Sequence, residues 1–257
     1  MKIFVVADVH GFYDEMKYAL DQAGFNPEDD NHLLVSLGDI VDRGPKPVEV
    51  LEYLMGLKNK ILVKGNHEDL AEEMMRTGEF HGHDVSNGTF DTFRLFAEHL
   101  SGNVISRNYA LMDWDNVNNY VKHYSLWRKY LRECVNYYET ANHVFVHGWI
   151  PANEEIRKDW RNLATEEDWE NARWARSPMM ADMELFDPEG KKIVIGHWHT
   201  SDFHRRFGKN PEDRVIENFY PFYHPRFIAC DACTAYSGFC NVVVIEDERI
   251  NERCVID

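Results

Sequence analysis

Five apolar runs in this 257-residue chain each end almost at once in a side chain that can ligate a cation or carry a proton. Ile3–Ala7 leads to Asp8 and His10, Leu33–Leu37 to Asp39, Ile61–Val63 to Asn66 and His67, Val144–Val146 to His147, and Ile193–Ile195 to His197 and His199. In extended backbone, residues two apart point the same way, so Asp8 and His10 can converge on one ion, and His197 and His199 share that spacing. Asp39 is the centre of the pattern. A carboxylate at the end of a buried strand, where α/β sheets place ligand sites, can hold two cations roughly 3.5–4 Å apart. Taken alone, Asp39 equally suits a turn cap after Gly38. A single strand-end histidine is ordinarily a satisfied core residue, but five coincident strand ends are hard to explain by packing. The donors are nitrogen and oxygen without thiolate, which suits two manganese or iron ions, with zinc as the alternative. Neutral imidazoles and few carboxylates leave such a pair of dications net positive, and a net positive site attracts phosphate.

The elements that must position these residues follow from periodicity. Lys2–Ala7 reads as a strand, and Tyr13–Ala23 as a helix, with Met16, Ala19, Leu20 and Ala23 on one face and Gly24 as the stop. The plan repeats with the run Leu33–Leu37 and a helix from Pro47 to Gly56, then with Ile61–Val63 and an amphipathic segment through Met75. From about Gly78 to Thr140 the pattern becomes mixed polar and aromatic, with a helix expected across Trp127–Tyr138; an insertion of this size between ligand-bearing strands reads as a cap. His81 and His83, flanked by glycine and polar residues, read as exposed loop histidines. Pro151–Pro178 carries a charge run best read as a solvated helix face. Strand-like runs at Arg226–Ala229 and Asn241–Glu246 finish the sheets. The expectation is one domain over residues 1–257 with a cap-like insertion at about 78–140.

The motifs Asp8-Val9-His10-Gly11, Gly38-Asp39-Ile40-Val41-Asp42-Arg43-Gly44, Gly65-Asn66-His67-Glu68, His147-Gly148 and Gly196-His197-Trp198-His199 together resemble the calcineurin-like metallophosphoesterases. The resemblance covers roughly Met1–Met75, Asn142–Ile150 and Lys191–Thr200. The GDxVDRG and GNHE motifs are similar to the phosphoprotein-phosphatase branch, which includes bacterial and phage Ser/Thr phosphatases and symmetrical bis-nucleoside tetraphosphatases. The resemblance implies an α/β fold, a four-layer αββα sandwich of two mixed β-sheets flanked by helices. It also implies a first metal held by Asp8, His10 and Asp39, and a second held by Asp39, Asn66, His147 and His197. The His-x-His ending is similar to the wider superfamily, which assigns His199 to the first metal. The metals would activate water for in-line attack at phosphorus. Beside them, His67 is free to protonate the leaving alkoxide, Asp42 to orient its ring, and Arg43 to fork onto phosphate oxygens. Trp174-Ala175-Arg176 is similar to a segment whose arginine binds phosphate in bacterial members, so Arg176 joins the substrate-binding set.

Composition limits the partners. Acidic residues number 44 against 28 basic, a formal charge of −16 that opposes long nucleic acids and anionic membranes but not small phosphates. No signal-like apolar region opens the chain, and Cys134, Cys230, Cys233, Cys240 and Cys254 read as reduced thiols, so a cytoplasmic location is expected. Cys230-x-x-Cys233 lacks a second pair and lies among strand-like residues, which favours buried small hydrophobes over a structural zinc. The expected activity is metal-dependent hydrolysis of a phosphomonoester, on a phosphoprotein or a small phosphorylated metabolite. Alternatives are cleavage of a dinucleoside polyphosphate, a phosphodiesterase, and a non-catalytic metal-bound scaffold. The scaffold would predict erosion of His67, Asp42 or Arg43, and all three are present. Oligomeric state is not legible.

Overall fold

The inner strands are buried at almost every position, and successive residues enter apolar layers on opposite faces of the sheet. The computed structural model describes residues 1–108, 111–209, 212 and 217–249; Cys254 lies outside them. In chain order the first part runs β1 (Lys2–Val6), α1 (Tyr13–Gln22), β2 (His32–Ser36), α2 (Pro47–Gly56), β3 (Lys60–Leu62) and α3 (Asn66–Thr77). Four helices follow: α4 (Gly82–Asn87), α5 (Thr89–Ser101), α6 (Trp114–His123) and α7 (Ser125–Glu133). The second half holds β4 (Tyr138–Glu139), β5 (His143–Phe145), α8 (Trp160–Leu163), α9 (Glu166–Arg173), α10 (Ser177–Asp182), β6 (Lys192–Ile195) and α11 (Thr200–Phe207). The chain then forms β7 (Phe222–Tyr223), β8 (Phe227–Ala229), α12 (Thr234–Ser237) and β9 (Val243–Glu246).

Two mixed sheets result, in the orders β3-β2-β1-β9 and β4-β5-β6-β8-β7. Parallel pairing joins β1 to β2 with Val5 opposite Val35, and β5 to β6 with Val144 opposite Ile193; β9 closes the first sheet antiparallel to β1. Side chains alternate across a strand. Thus Phe4, Val6 and Leu34 face a helix layer, whereas Ile3, Val5, Leu33 and Val35 meet Phe145, Val194 and Ile228 between the sheets. Val144, Ile193, Ile195 and Phe227 then face the second helix layer. Three apolar cores separated by two sheets make the αββα sandwich. No helix among the described residues is long and apolar enough to cross a membrane.

Helices α5 to α7 do not stand apart from this frame. Phe93, Phe96, Val117, Val121, Trp127 and Tyr130 belong to the same buried cluster as Phe4, Leu51 and Met16. The helix expected across Trp127–Tyr138 stops at Glu133. Its continuation is claimed by the sheet: Val135 donates to the Leu62 carbonyl at 2.8 Å and accepts from the Lys64 amide at 2.9 Å. Tyr138 and Glu139 then pair with β5.

The far edge is pinned by Asp247, whose buried carboxylate accepts from Thr140 Oγ1 (2.7 Å), Asn142 N (3.0 Å), Asn142 Nδ2 (2.8 Å) and His143 Nδ1 (2.6 Å). Burial opposes ionisation, but these donors hold the carboxyl below its ordinary range. Replacing it with asparagine turns an amide donor toward groups that already donate. Asp247→Asn is therefore expected to destabilise the fold by about 1.5–3 kcal/mol, the worth of a charge-assisted hydrogen bond, in urea unfolding at neutral pH. A depressed folded pKa contributes stability that is full above the unfolded value of about 4 and fades as pH falls below it. The mutant's deficit should shrink in acid, and an equal deficit at every pH would contradict the ionised role.

Candidate metal centre

The strand ends of β1 and β2 continue into turns that are bonded to each other. His10 N donates to the Asp39 carbonyl at 2.9 Å and Gly11 N to that of Ile40 at 2.8 Å. A side chain on Gly38 would overlap the Gly65 backbone, and one on Gly65 would overlap the Asp39 carboxylate, so these glycines let the second and third turns touch. Eight described non-glycine residues have positive φ, and six of them are Asp8, His10, Asp39, Asp42, Arg43 and His197. Such conformations are strained for side-chain-bearing residues and persist only where the surroundings over-determine them, commonly at functional sites.

Two groups of potential ligands result, His10–Asp39–His67 and Asp39–His147–His197, and they share Asp39. Asp39 Oδ2 lies 3.7 Å from His10 Nε2 and 3.8 Å from His67 Nε2, while Oδ1 lies 3.5 Å from His147 Nε2. One carboxylate thus turns one oxygen to each group. Burial pushes against its ionisation, yet His147, His67 and His10 hold Asp39 below the usual carboxylate range. Burial lowers His10 well below the ordinary imidazole value, lowers His147, and takes His197 to about 3.

The donor set fits a metal pair. His10 Nδ1 donates to the Val41 carbonyl at 2.8 Å and His147 Nδ1 to that of Leu37 at 2.7 Å. A neutral ring has one N–H, so both Nε2 atoms present lone pairs to the site. His147 Nε2 stands 2.8 Å from Asn66 Oδ1, two acceptors facing each other, and a shared cation satisfies such a contact. Asp8 is fixed by the His197 amide at 2.8 Å; burial, then Asp231 and Asp39, raise its pKa well above the ordinary value.

The remaining candidates are placed differently. His67 Nδ1 is 2.6 Å from Asp42 Oδ2; burial disfavours its charge, but Asp39 and the bond to Asp42 raise its pKa overall. The Arg43 guanidinium donates to His10 Nε2 at 2.6 Å and lies 3.1 Å from His67 Nε2. His199 is exposed at the start of α11, outside both groups, with its ring 6.4 Å from Phe219 and within electrostatic range of buried Asp231. Arg176 is exposed and sits over the Trp198 ring, 5.4 Å from its centroid. Trp174 is 46% exposed, with its ring edge-on to His197 at 6.1 Å. His81 and His83 are exposed, and Cys230 and Cys240 are buried free thiols.

Sequence reasoning missed Glu68. Fully buried, it accepts from Asp39 N (2.8 Å), Gly65 N (2.8 Å) and Ile40 N (3.0 Å), tying the second turn to the start of α3. Its signal was available, because a glutamate three residues past a helix start is a capping residue.

Among solved structures the chain is similar to the cold-active protein-tyrosine phosphatase of a psychrophilic Shewanella. The TM-score is 0.56 at 20% identity, over 95% of this chain and 75% of that one, a likeness of fold. Among curated proteins it is 45% identical over 69 residues to a symmetrical bis(5'-nucleosyl)-tetraphosphatase of Erwinia tasmaniensis, covering 26% of this chain and 24% of the relative. It is 44% identical over 77 residues to serine/threonine-protein phosphatase 2 of Escherichia coli, covering 30% of this chain and 34% of the relative. These matches span about a quarter to a third of the relatives' length. The calcineurin-like phosphoesterase model matches residues 1–228, which takes in all the motifs above, and the chain belongs to that family.

Proposed function

We propose that the chain is a metal-dependent phosphohydrolase with a dinuclear site acting on phosphomonoesters. The observation that carries this reading is Asp39, one carboxylate shared by two histidine groups. Asp8, His10 and Asp39 would hold one ion, with His199 as a further ligand after rotation of its exposed side chain; Asp39, Asn66, His147 and His197 would hold the other. Two such dications, manganese or iron with zinc as the alternative, supply Lewis acidity toward phosphate oxygens and lower the pKa of the attacking water. The protein's own groups do the rest. Asp42 fixes His67 Nδ1, so Nε2 is the atom that can give a proton to the leaving oxygen. Arg43 is the only guanidinium touching the His10–His67 pair among the described residues, and its fork suits two phosphate oxygens. Arg176, exposed and over the Trp198 ring, would be the second guanidinium available to phosphate. The four described cysteines are free thiols, in keeping with a cytoplasmic protein.

A monoester presents three non-bridging oxygens and a diester only two. The kcat/KM for an aryl phosphate is therefore expected to exceed that for the matching bis-aryl phosphate by about tenfold or more, the value of one charge-assisted hydrogen bond. Long nucleic acid should remain uncut at low salt, because the charge of −16 repels it. Efficient diester or nucleic-acid cleavage would overturn the monoesterase reading. One observation favours a second reading: the half-exposed Trp174 beside His197 offers a face on which a nucleobase can stack. Dinucleoside polyphosphate hydrolysis replaces the first reading if such a substrate outperforms phosphopeptides and sugar phosphates with manganese supplied, and Trp174→Ala raises its KM alone.

A further inference from the structure

Asp42 is held from outside its own loop. Its carboxylate, 1% exposed, accepts from Thr89 Oγ1 on Oδ2 at 2.6 Å and from Thr92 Oγ1 on Oδ1 at 2.8 Å, besides the His67 Nδ1 contact on Oδ2 at 2.6 Å. The Asp42 amide donates back to Thr92 Oγ1 at 2.9 Å, so that hydroxyl serves as donor and acceptor to one residue. Thr89 and Thr92 are fully buried in the first turns of α5, 47 and 50 residues along the chain from Asp42. Gly88, which joins α4 to α5, has φ of 97°, and a side chain there would overlap the Arg43 backbone nitrogen. The start of α5 is therefore seated directly on the Asp42–Arg43 turn, where both residues have positive φ.

From this geometry we infer that Thr89 and Thr92 are positioning residues for the phosphohydrolase chemistry, acting through Asp42 on His67. A carboxylate bonded only to the imidazole can rotate about its own axis. With a hydroxyl on each oxygen its plane is fixed, and with it the direction in which His67 presents Nε2. Misplacing a reacting group by about 1 Å can cost on the order of 10²-fold, and loss of an outer-shell partner typically costs roughly 10–100-fold. The segment carrying α4 and α5 is thereby a buttress of the His67–Asp42 pair. This inference rests on the proposal that His67 acts on substrate, and the test separates the two.

Thr89→Val and Thr92→Val remove the hydroxyls at nearly constant volume; Thr89→Ser and Thr92→Ser keep them. The valine variants, with manganese supplied, should lose roughly 10–100-fold in kcat on alkyl phosphates with little change in KM or in bound metal by elemental analysis. The serine variants should recover most of that loss. In a His67→Asn background the valine changes should have no further effect, because the residue they position is gone. Persistence of the full valine effect in that background, loss of bound metal, or failure of serine to rescue would each overturn the inference. Should Thr92→Val fail to fold, Thr89→Val decides alone, since Thr89 bonds only the carboxylate. The separate failure of the His67 reading shows as a His67→Asn enzyme of unaltered activity, whatever the threonine variants do.

Discussion

Asp39→Asn is expected to lose both metal ions together and to lower kcat/KM by about 10³-fold or more. The carboxylate gives Oδ2 to the His10 side and Oδ1 to the His147 side, and an amide offers a weakly basic oxygen to one side and an N–H donor to the other. A catalytic metal supplies several kcal/mol of transition-state stabilisation, and each 1.4 kcal/mol or so is tenfold in rate. The measurement is metal content per chain by elemental analysis, alongside hydrolysis of an aryl phosphate. Loss of one ion with the other at full occupancy would refute the bridging role. Wholesale unfolding is not expected, since the turn's backbone bonds, from His10 N to Asp39 O and from Asp39 N to Glu68, do not involve the altered oxygens. The substitution does touch one such bond, because His67 N donates to Asp39 Oδ1 at 3.0 Å; an amide oxygen placed there retains it.

His67→Asn should leave metal content intact while reducing kcat by roughly 10²–10⁴-fold on substrates with poor leaving groups, the range for a lost general acid. Activated aryl phosphates, whose leaving groups need little protonation, should suffer much less. The discriminating quantity is the mutant's deficit plotted against leaving-group pKa. A rising deficit assigns proton donation to His67. A flat deficit assigns His67 to some other task, and loss of metal makes it a ligand of the His10–Asp39 group, where its Nε2 lies 3.8 Å from Asp39 Oδ2.

The strand and helix units and the ligand types were legible because both follow from local pattern, whereas the four layers were implied by the family resemblance. Apolar runs of four or five residues, with Asp, Asn or His at their carboxyl ends, state that a strand is buried on both faces and where it leaves the sheet. The motifs around Asp8, Asp39, Asn66, His147 and His197 carried the family resemblance for the same reason, each being complete within a few residues. What sequence periodicity cannot express is a bond between distant segments. The helix running through Trp127 ends at Glu133 because Leu62 and Lys64 take the Val135 backbone into the sheet, which no feature of residues 127–138 announces. The positive φ values at Asp8, His10, Asp39, Asp42, Arg43 and His197 occur at residue types that do not require them, and the packed turns impose them. His197 and His199 have the same spacing as Asp8 and His10. The extended-backbone rule applies to neither pair, because Asp8, His10 and His197 have positive φ, and the chain turns into α11 at His199, leaving its ring exposed. Chain order alone thus names the groups that can ligate and titrate. Tertiary contacts decide which oxygen of Asp39 faces which histidine, and bring Thr89 and Thr92 onto Asp42, because those bonds form only once the αββα core has closed.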